Sequence, residues 1–416
     1  MKLTIKNLAK VAHAEVALNG ITLIAGENDS GKSTCGKAVC ALLNTFEELD
    51  GRVGRIRMER LDDAIRTVMK RHFPVWRDES AQKFLDGQLT SGDFVKLLLR
   101  YFGGPVQSRS REVDLAVAVE AVRDLKEEDV KRAAIQRGFA ATFHDQYMPL
   151  YKLQKEKGDE TSVILEADNA KIGVLLKKNS CSFVRENDIR CGAWYVGSPD
   201  VVDQFGARFY MGARNWFDAK LIQAVGENRR EAVVDPVKGA FDATLNRKAL
   251  KILAEHFKKL NDDEVAFDRD GGYVIKRKEF AAKLMLSNAS MGTKSIALIR
   301  ILVESGALKR GDLLVLDEPE IHLHPEWQLI YAELVVLLRK ELGVYVLLTT
   351  HSPDFTQAIR VYSKKHGIAD EVSAYLTTGS QMTKLKPIKD KEWDELFDRY
   401  MPTVKLLEKL TAEVGA

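Results

Sequence analysis

The sequence predicts an α/β protein, with a mixed and largely parallel sheet core interrupted by a helical insertion. Three observations carry that class. The apolar run Ile21–Ala25 ends at a glycine-bearing loop and is followed by helix formers; the stretch from Phe46 to Lys157 has helical periodicity and no strand signal; and the last third alternates helix, strand, helix, strand.

From the start of the chain, Leu3 and Ile5 and then Val16 and Leu18 alternate with polar residues, which predicts two edge-type strands ahead of the buried run. Thr34–Leu43 has the small residues and helix formers of a helix packed on a sheet. Beyond Phe46, apolar residues recur at three- and four-residue steps (Met58, Leu61, Ile65; Leu115, Val119, Val122), and the edges of the insertion, Pro74 and Gln107–Arg111, look loop-like. Strand patterns return at Ser162–Glu166, Ile172–Lys177 and Ala193–Val196. Leu221–Leu260 reads mainly as helix, and the Asp-Gly-Gly centre of Glu264–Lys276 predicts a hairpin. Helix Lys294–Glu304, strand Leu313–Leu316, helix Glu326–Glu341 and strand Val344–Thr349 then give the alternation of a parallel sheet. A closing amphipathic stretch puts Leu406, Leu410 and Val414 on one face, a stripe that suits docking on the chain's own core or on a partner. The organisation expected is residues 1–45 as the first part of a head, 46–160 as the helical insertion and 161–416 as the second part of the head.

The 416 residues carry 63 Lys+Arg against 60 Asp+Glu, and a net charge of +3 does not by itself announce a nucleic-acid binder. The first twenty residues lack the apolar centre of a signal peptide, and nowhere do 18 apolar residues run together, so a cytoplasmic location without a membrane span is expected. Cys35, Cys40, Cys181 and Cys191 have no metal-ligand spacing and read as reduced structural thiols.

Four segments carry chemistry. Gly26-Glu-Asn-Asp-Ser-Gly31-Lys32-Ser33 fits the phosphate-loop pattern, placed after a buried strand and at a helix start, where backbone N–H groups cradle phosphate oxygens. Lys32 would lie along the β/γ-phosphates and Ser33 would coordinate Mg²⁺, a hard ion that takes oxygen ligands, while Asn28, Asp29, Ser30 and Thr34 complete the nucleotide-binding set. Asp29 stands where glycine would be easiest, although Asp tolerates the left-handed region. A chance match in a chain of this length is on the order of one in a hundred. Leu313-Leu-Val-Leu-Asp317-Glu318 is a strand ending in two acids, Asp317 placed to hold the metal and Glu318 to polarise the attacking water; a strand followed by an acidic turn is the alternative. His351, after the strand Leu347-Leu-Thr-Thr, would sense the γ-phosphate. Ser290-Met-Gly292 opens a helix as a further anion site or, equally, as a plain helix cap.

In this order and with this insertion, the four segments resemble the ATP-binding-cassette ATPases, in the soluble branch that includes chromosome-maintenance and DNA-repair ATPases and the overcoming-lysogenization-defect nucleases. Asp317-Glu-Pro-Glu-Ile-His-Leu-His-Pro-Glu-Trp-Gln328 with Thr350-His-Ser-Pro353 looks like the stand-alone ATPases of bacterial anti-phage systems, such as those of Septu-like and PARIS-like operons. The resemblance implies a head of that type, with Gly26–Ser33 as Walker A, Ser290–Gly292 as signature turn, Asp317 and Glu318 as Walker B and His351 as switch histidine. Lys32, Glu318 and His351 would be catalytic, ATP and Mg²⁺ the cofactors, and Ser290 would reach the γ-phosphate on a second copy's loop in an ATP-dependent dimer or larger homo-oligomer. The family's metal-contacting glutamine has Gln204 as its candidate. His322 and His324 lack a third ligand and read as structural.

The functional expectation is an ATPase that switches a separate effector, a nuclease or toxin docked on the insertion, in anti-phage defence. About 65 residues follow His351, short for a fused nuclease domain. The alternative is a DNA-binding repair or chromosome-maintenance ATPase, with Lys276-Arg-Lys278, Arg229-Arg230 and the insertion's arginines on the contact surface, which leaves nucleic acid open as a partner.

Overall fold

Alternating polar and apolar residues open the chain as two strands, β1 (Lys2–Leu8) and β2 (Val11–Ala17), and the apolar run follows as the fully buried β3 (Ile21–Ala25). The protein is described from a computed structural model at residues 1–71, 73, 75, 79–102, 109–143, 160–177, 180–205, 216–234, 247–260, 263–268, 272–278, 281–378, 383–388 and 393. Helix α1 (Lys32–Phe46) begins directly on the loop lysine. Its close approach to the sheet needs Gly36, where a Cβ would stand 2.6 Å from Val315 Cγ1.

Two compact units are present, Thr45–Gly138 and the remainder of the chain. The first is helical: α2 (Leu49–Met69), α3 (Glu79–Leu85), α4 (Ser91–Tyr101), α5 (Arg109–Arg123) and most of α6 (Glu127–Thr142). Its core is aromatic, with Phe84 stacked on Phe94 at 4.5 Å and Phe73 edge-on to Phe94 at 6.4 Å. Arg109–Arg111, read as loop from the sequence, already belong to α5, while Pro74 and Gln107 lie outside the described residues.

The larger unit holds the sheet. In chain order it adds β4 (Glu160–Ala167), β5 (Ala170–Lys177), β6 (Ser180–Glu186), β7 (Ala193–Val196), α7 (Trp216–Val234), α8 (Arg247–Leu260), β8 (Glu264–Asp268), β9 (Gly272–Lys276) and β10 (Leu284–Met285). There follow α9 (Met291–Glu304), β11 (Leu313–Asp317), α10 (Pro325–Leu337), β12 (Tyr345–Thr350), α11 (Pro353–Lys365), β13 (Val372–Thr378) and β14 (Thr383–Ile388). Among the described residues eleven strands form one sheet in the order β6-β5-β4-β1-β2-β14-β13-β3-β12-β11-β7, and β10-β9-β8 form a small second sheet. The run from β13 to β7 is parallel and the outer hairpins are antiparallel. This is the mixed α/β architecture that the alternation of elements predicts.

One expectation about the sheet is corrected. β1 and β2 are not edge strands, since β1 pairs with β2 and β4, and β2 with β1 and β14. Their alternation reports one buried and one solvated face, which an interior strand of an antiparallel region also shows. The described residues after His351 include α11 and two strands of the main sheet, with β13 pairing directly with β3. The hairpin expected at Glu264–Lys276 forms, with Glu264 opposite Lys276. Leu406, Leu410 and Val414 lie outside the described residues. Among the described residues no helix is long and apolar enough to cross a membrane, and all four cysteines are free.

Candidate active site at the carboxyl ends of three strands

Parallel pairing brings three strand ends side by side. Ala25 of β3 lies opposite Thr350 of β12, and Thr349 lies opposite Asp317 of β11. The carboxyl ends of parallel strands are where such sheets bind ligands, because the loops leaving them share one crevice. β3 thus delivers Gly26–Ser33, β11 delivers Asp317 and Glu318, and β12 delivers His351.

The phosphate loop is built on residues with positive φ. Gly26 has φ 154°, and a Cβ there would stand 1.8 Å from Thr377 Oγ1, so the loop passes β13 where only glycine fits. Asp29 adopts the left-handed conformation (φ 58°), as its tolerance of that region allows, and its exposed carboxylate pairs with Lys10 at 3.0 Å. Asn28 is exposed, Thr34 half-buried, and the Ser30 hydroxyl oxygen is buried without a hydrogen-bond partner among the described residues.

Lys32 is 3% exposed. Its ammonium donates to the carbonyls of Gly26 (3.0 Å) and Glu27 (2.8 Å) and lies 3.5 Å from Glu318 Oε1. Asp317 is gripped by three hydroxyls: Ser33 Oγ donates to Oδ1 at 2.8 Å, Thr349 Oγ1 donates to the same oxygen, and Tyr195 Oη donates to Oδ2 at 2.6 Å. Burial, and then the facing Asp317 carboxylate, push the Tyr195 phenol well above its ordinary value, so it remains a donor. Glu318 is left-handed (φ 50°), and its N–H is held by the Thr349 carbonyl at 3.0 Å, which aims the side chain back at the loop.

His351 Nδ1 stands 3.6 Å from Glu318 Oε2 and 3.8 Å from Glu320 Oε1. Glu320 is buried and accepts from Thr350 Oγ1 (2.5 Å) and His351 N (3.3 Å). Burial raises its carboxyl, partly offset by the Thr350 hydrogen bond.

Of the sequence-predicted residues, those near positions 26–33, 317–318 and 351 come together. Ser290 does not join them within the chain; it caps α9, accepting from Thr293 N at 3.3 Å. Gly292 abuts the loop after Glu320, where a Cβ would meet the His322 carbonyl at 2.8 Å. Gln204 ends a 3-10 turn over Pro199–Gln204 and lines neither cavity at Asp317. His322 lines the smaller cavity and His324 precedes α10, and no cluster of three or more His, Cys, Asp or Glu suited to a metal is found among the described residues. Tyr195, Thr349 and Glu320 escaped the sequence reading; the one local signal was Tyr195's place in the buried strand Ala193–Val196.

Two cavities flank Asp317. One, of about 160 Å³, is lined by Ser33, Ser198, Ser295, Asp317 and Glu318 among others. The other, of about 320 Å³, shares Gly197, Ser198 and Asp317 with it and adds Lys37, Tyr195 and Phe217. The residues fit a magnesium nucleotide: oxygen donors suit the hard cation, while the unpartnered Ser30 hydroxyl, the Lys32 ammonium and the start of α1 suit an anion.

Residues 203–355 match the family model described as "AAA domain, putative AbiEii toxin, Type IV TA system". No curated protein sequence matches the chain. Among solved structures the chain is similar to an SMC head bound to the C-terminal winged-helix domain of ScpA, at 12% identity and TM-score 0.47 over 95% of this chain and 98% of that one. It is also similar to the SMC head domain from Thermotoga maritima (13%, 0.39, 93% and 98%) and to the SMC head with extended coiled coil bound to the C-terminal domain of ScpA from Pyrococcus furiosus (12%, 0.43, 96% and 98%). The family match covers the segment from the turn after β7 to the start of α11, and the parallel pairing of β3 with β12 sets the Gly26–Ser33 loop beside that segment.

Proposed function

We propose that the protein binds and hydrolyses Mg²⁺-ATP at the crevice above β3, β11 and β12. The observation that carries this is the 2.8 Å hydrogen bond between Ser33 and Asp317, which joins the phosphate loop to the strand-end acid across 284 positions of sequence. Lys32 and the N–H groups opening α1 would bind the β/γ-phosphates, Ser33 and Asp317 would hold the metal, and Glu318 would take a proton from the attacking water on a carboxylate oxygen. His351, beside Glu318, would orient that water or the γ-phosphate. Bound Mg²⁺ supplies neutralisation of charge on the phosphate oxygens. Phosphate release assays on the unaltered chain and on Lys32→Ala test the reading, and turnover by the variant at the parental rate would refute it.

The finer reading is that ATP state switches a separate effector, a nuclease or toxin, in anti-phage defence, from an ATP-dependent homo-oligomer in which Ser290 addresses a second copy's nucleotide. Its supports are the toxin–antitoxin wording of the matched family and the use of residues 353–378 and 383–388 in the larger unit's own helix and sheet. The effector would dock on the insertion, residues 46–160. Affinity capture of a Glu318→Gln variant with the products of neighbouring genes tests this, and recovery of the chain alone would count against it.

The DNA-binding alternative has less to stand on at its main cluster. Lys276 pairs with Glu264 at 2.7 Å and Arg277 pairs with Asp263 at 2.9 Å, so both charges are already engaged. The side chains of Arg229 and Arg230 lie outside the described residues. DNA-stimulated, salt-sensitive hydrolysis would revive it.

A further inference from the structure

The geometry points to Tyr195 as a positioning residue for the divalent cation, acting through Asp317. The inference rests on the Mg²⁺-ATP reading and names a residue of the same site on a strand outside the phosphate loop, the strand-end acids and the histidine.

Asp317 Oδ1 accepts from Ser33 and Thr349, two hydroxyls on the strands and loop that frame the phosphate site. Oδ2 accepts from Tyr195 at 2.6 Å, from β7 on the far side of β11. A carboxylate held at one oxygen can still swing about its Cβ–Cγ bond; held at both, its plane is fixed. The Tyr195 hydroxyl is therefore what sets which way the Asp317 oxygens face the cavity with Ser33 and Glu318. Its ring is itself fixed, 5% exposed and packed on Phe217 at 4.8 Å between centroids. Such outer partners of a metal-holding carboxylate orient it and tune its affinity.

β7 pairs in register with β11 from Ala193–Leu313 to Val196–Leu316, so the position of the hydroxyl depends on the sheet and not on a loop. The turn after β7, Pro199–Gln204, is tied to α9 by the Asp203–Lys294 ion pair at 2.8 Å, which holds the end of the short strand in place. Gln204, at the far end of that turn, does not reach either cavity.

Tyr195→Phe keeps the ring and removes only the hydroxyl. ATP binding is titrated by calorimetry on the full chain, first in EDTA and then across Mg²⁺ concentrations, for the parent, Tyr195→Phe and Tyr195→Ala. The expected result is unchanged metal-free ATP affinity in Tyr195→Phe together with a Mg²⁺ half-saturation raised on the order of tenfold. Equal Mg²⁺ dependence in parent and Tyr195→Phe overturns the inference, as does an equal loss with and without metal, which would mark a packing role shared with Tyr195→Ala. A parent that binds ATP neither way refutes the nucleotide reading itself, whereas a parent that binds Mg²⁺-ATP with an unaltered Phe variant refutes Tyr195 alone.

Discussion

Glu318 Oε1 lies 3.5 Å from the Lys32 ammonium, so the residue proposed to activate water and the residue proposed to bind phosphate are neighbours across the crevice. The pair is 22% and 3% exposed at the side chains, which makes the lysine the buried member. Substitutions at the two positions should consequently separate binding from chemistry.

Lys32→Ala removes the buried cation and leaves the Gly26 and Glu27 carbonyls without their donor. Loss of one partner from a buried charge pair costs about 2–5 kcal/mol, so ATP affinity should fall by roughly 30-fold or more. Calorimetric titration checks this; an affinity within twofold of the parent would remove Lys32 from the site.

Glu318→Gln keeps the side-chain shape and loses the proton acceptor. Hydrolysis should drop by about 10²–10⁴-fold with ATP binding retained, and size-exclusion chromatography with ATP should show a longer-lived assembly. Parental turnover would exclude Glu318 as the base.

Gly26→Ala forces a Cβ into Thr377 at a φ of 154°. The loop or β13 must shift, at a cost of about 1–3 kcal/mol for the backbone strain. Thermal melting should show a stability loss, which Thr377→Ser, retaining the hydroxyl, should not relieve. A Gly26→Ala protein that melts at the parental temperature would contradict the packing described here.

Glu320 should impose a pH dependence on stability. Its folded carboxyl is raised above the usual glutamate value by burial, in part offset by Thr350, so the folded chain binds this proton more tightly than the unfolded one. Stability from this group is therefore fully present below the usual value of about 4.3 and is lost as pH rises through the raised folded value. Glu320→Gln should flatten that slope in melts recorded from acid upward. Glu320→Ala should cost about 1–3 kcal/mol by stranding the Thr350 hydroxyl and the His351 N–H. A parent and a Gln variant with parallel pH profiles would argue against the buried carboxyl as their cause.

Local pattern carried much of the fold and the centre of the site. The buried run of β3, the loop glycines, the acids closing β11 and the helix before it are contiguous, and their residue types suit one conformation each. Other elements left no such mark. β6 (Ser180–Glu186) mixes polar and apolar residues without a clean period, and β13 and β14 went unread. β1 and β2 read as edges because alternation reveals a face and says nothing of how many neighbours a strand has.

By itself the sequence marked the segments proposed to hold phosphate and metal: the residue types that suggest a role for Gly26–Ser33, Asp317–Glu318 and His351 lie in each case within a few positions. Tertiary structure decided which side chains stand behind them. Tyr195 reaches Asp317 across 122 positions, Thr377 closes on Gly26, and Asp203 meets Lys294, because strand order and register bring these residues together. No local propensity encodes that order; it follows from how the whole chain buries its sheet, so the partners of the site are visible only once the strands are paired.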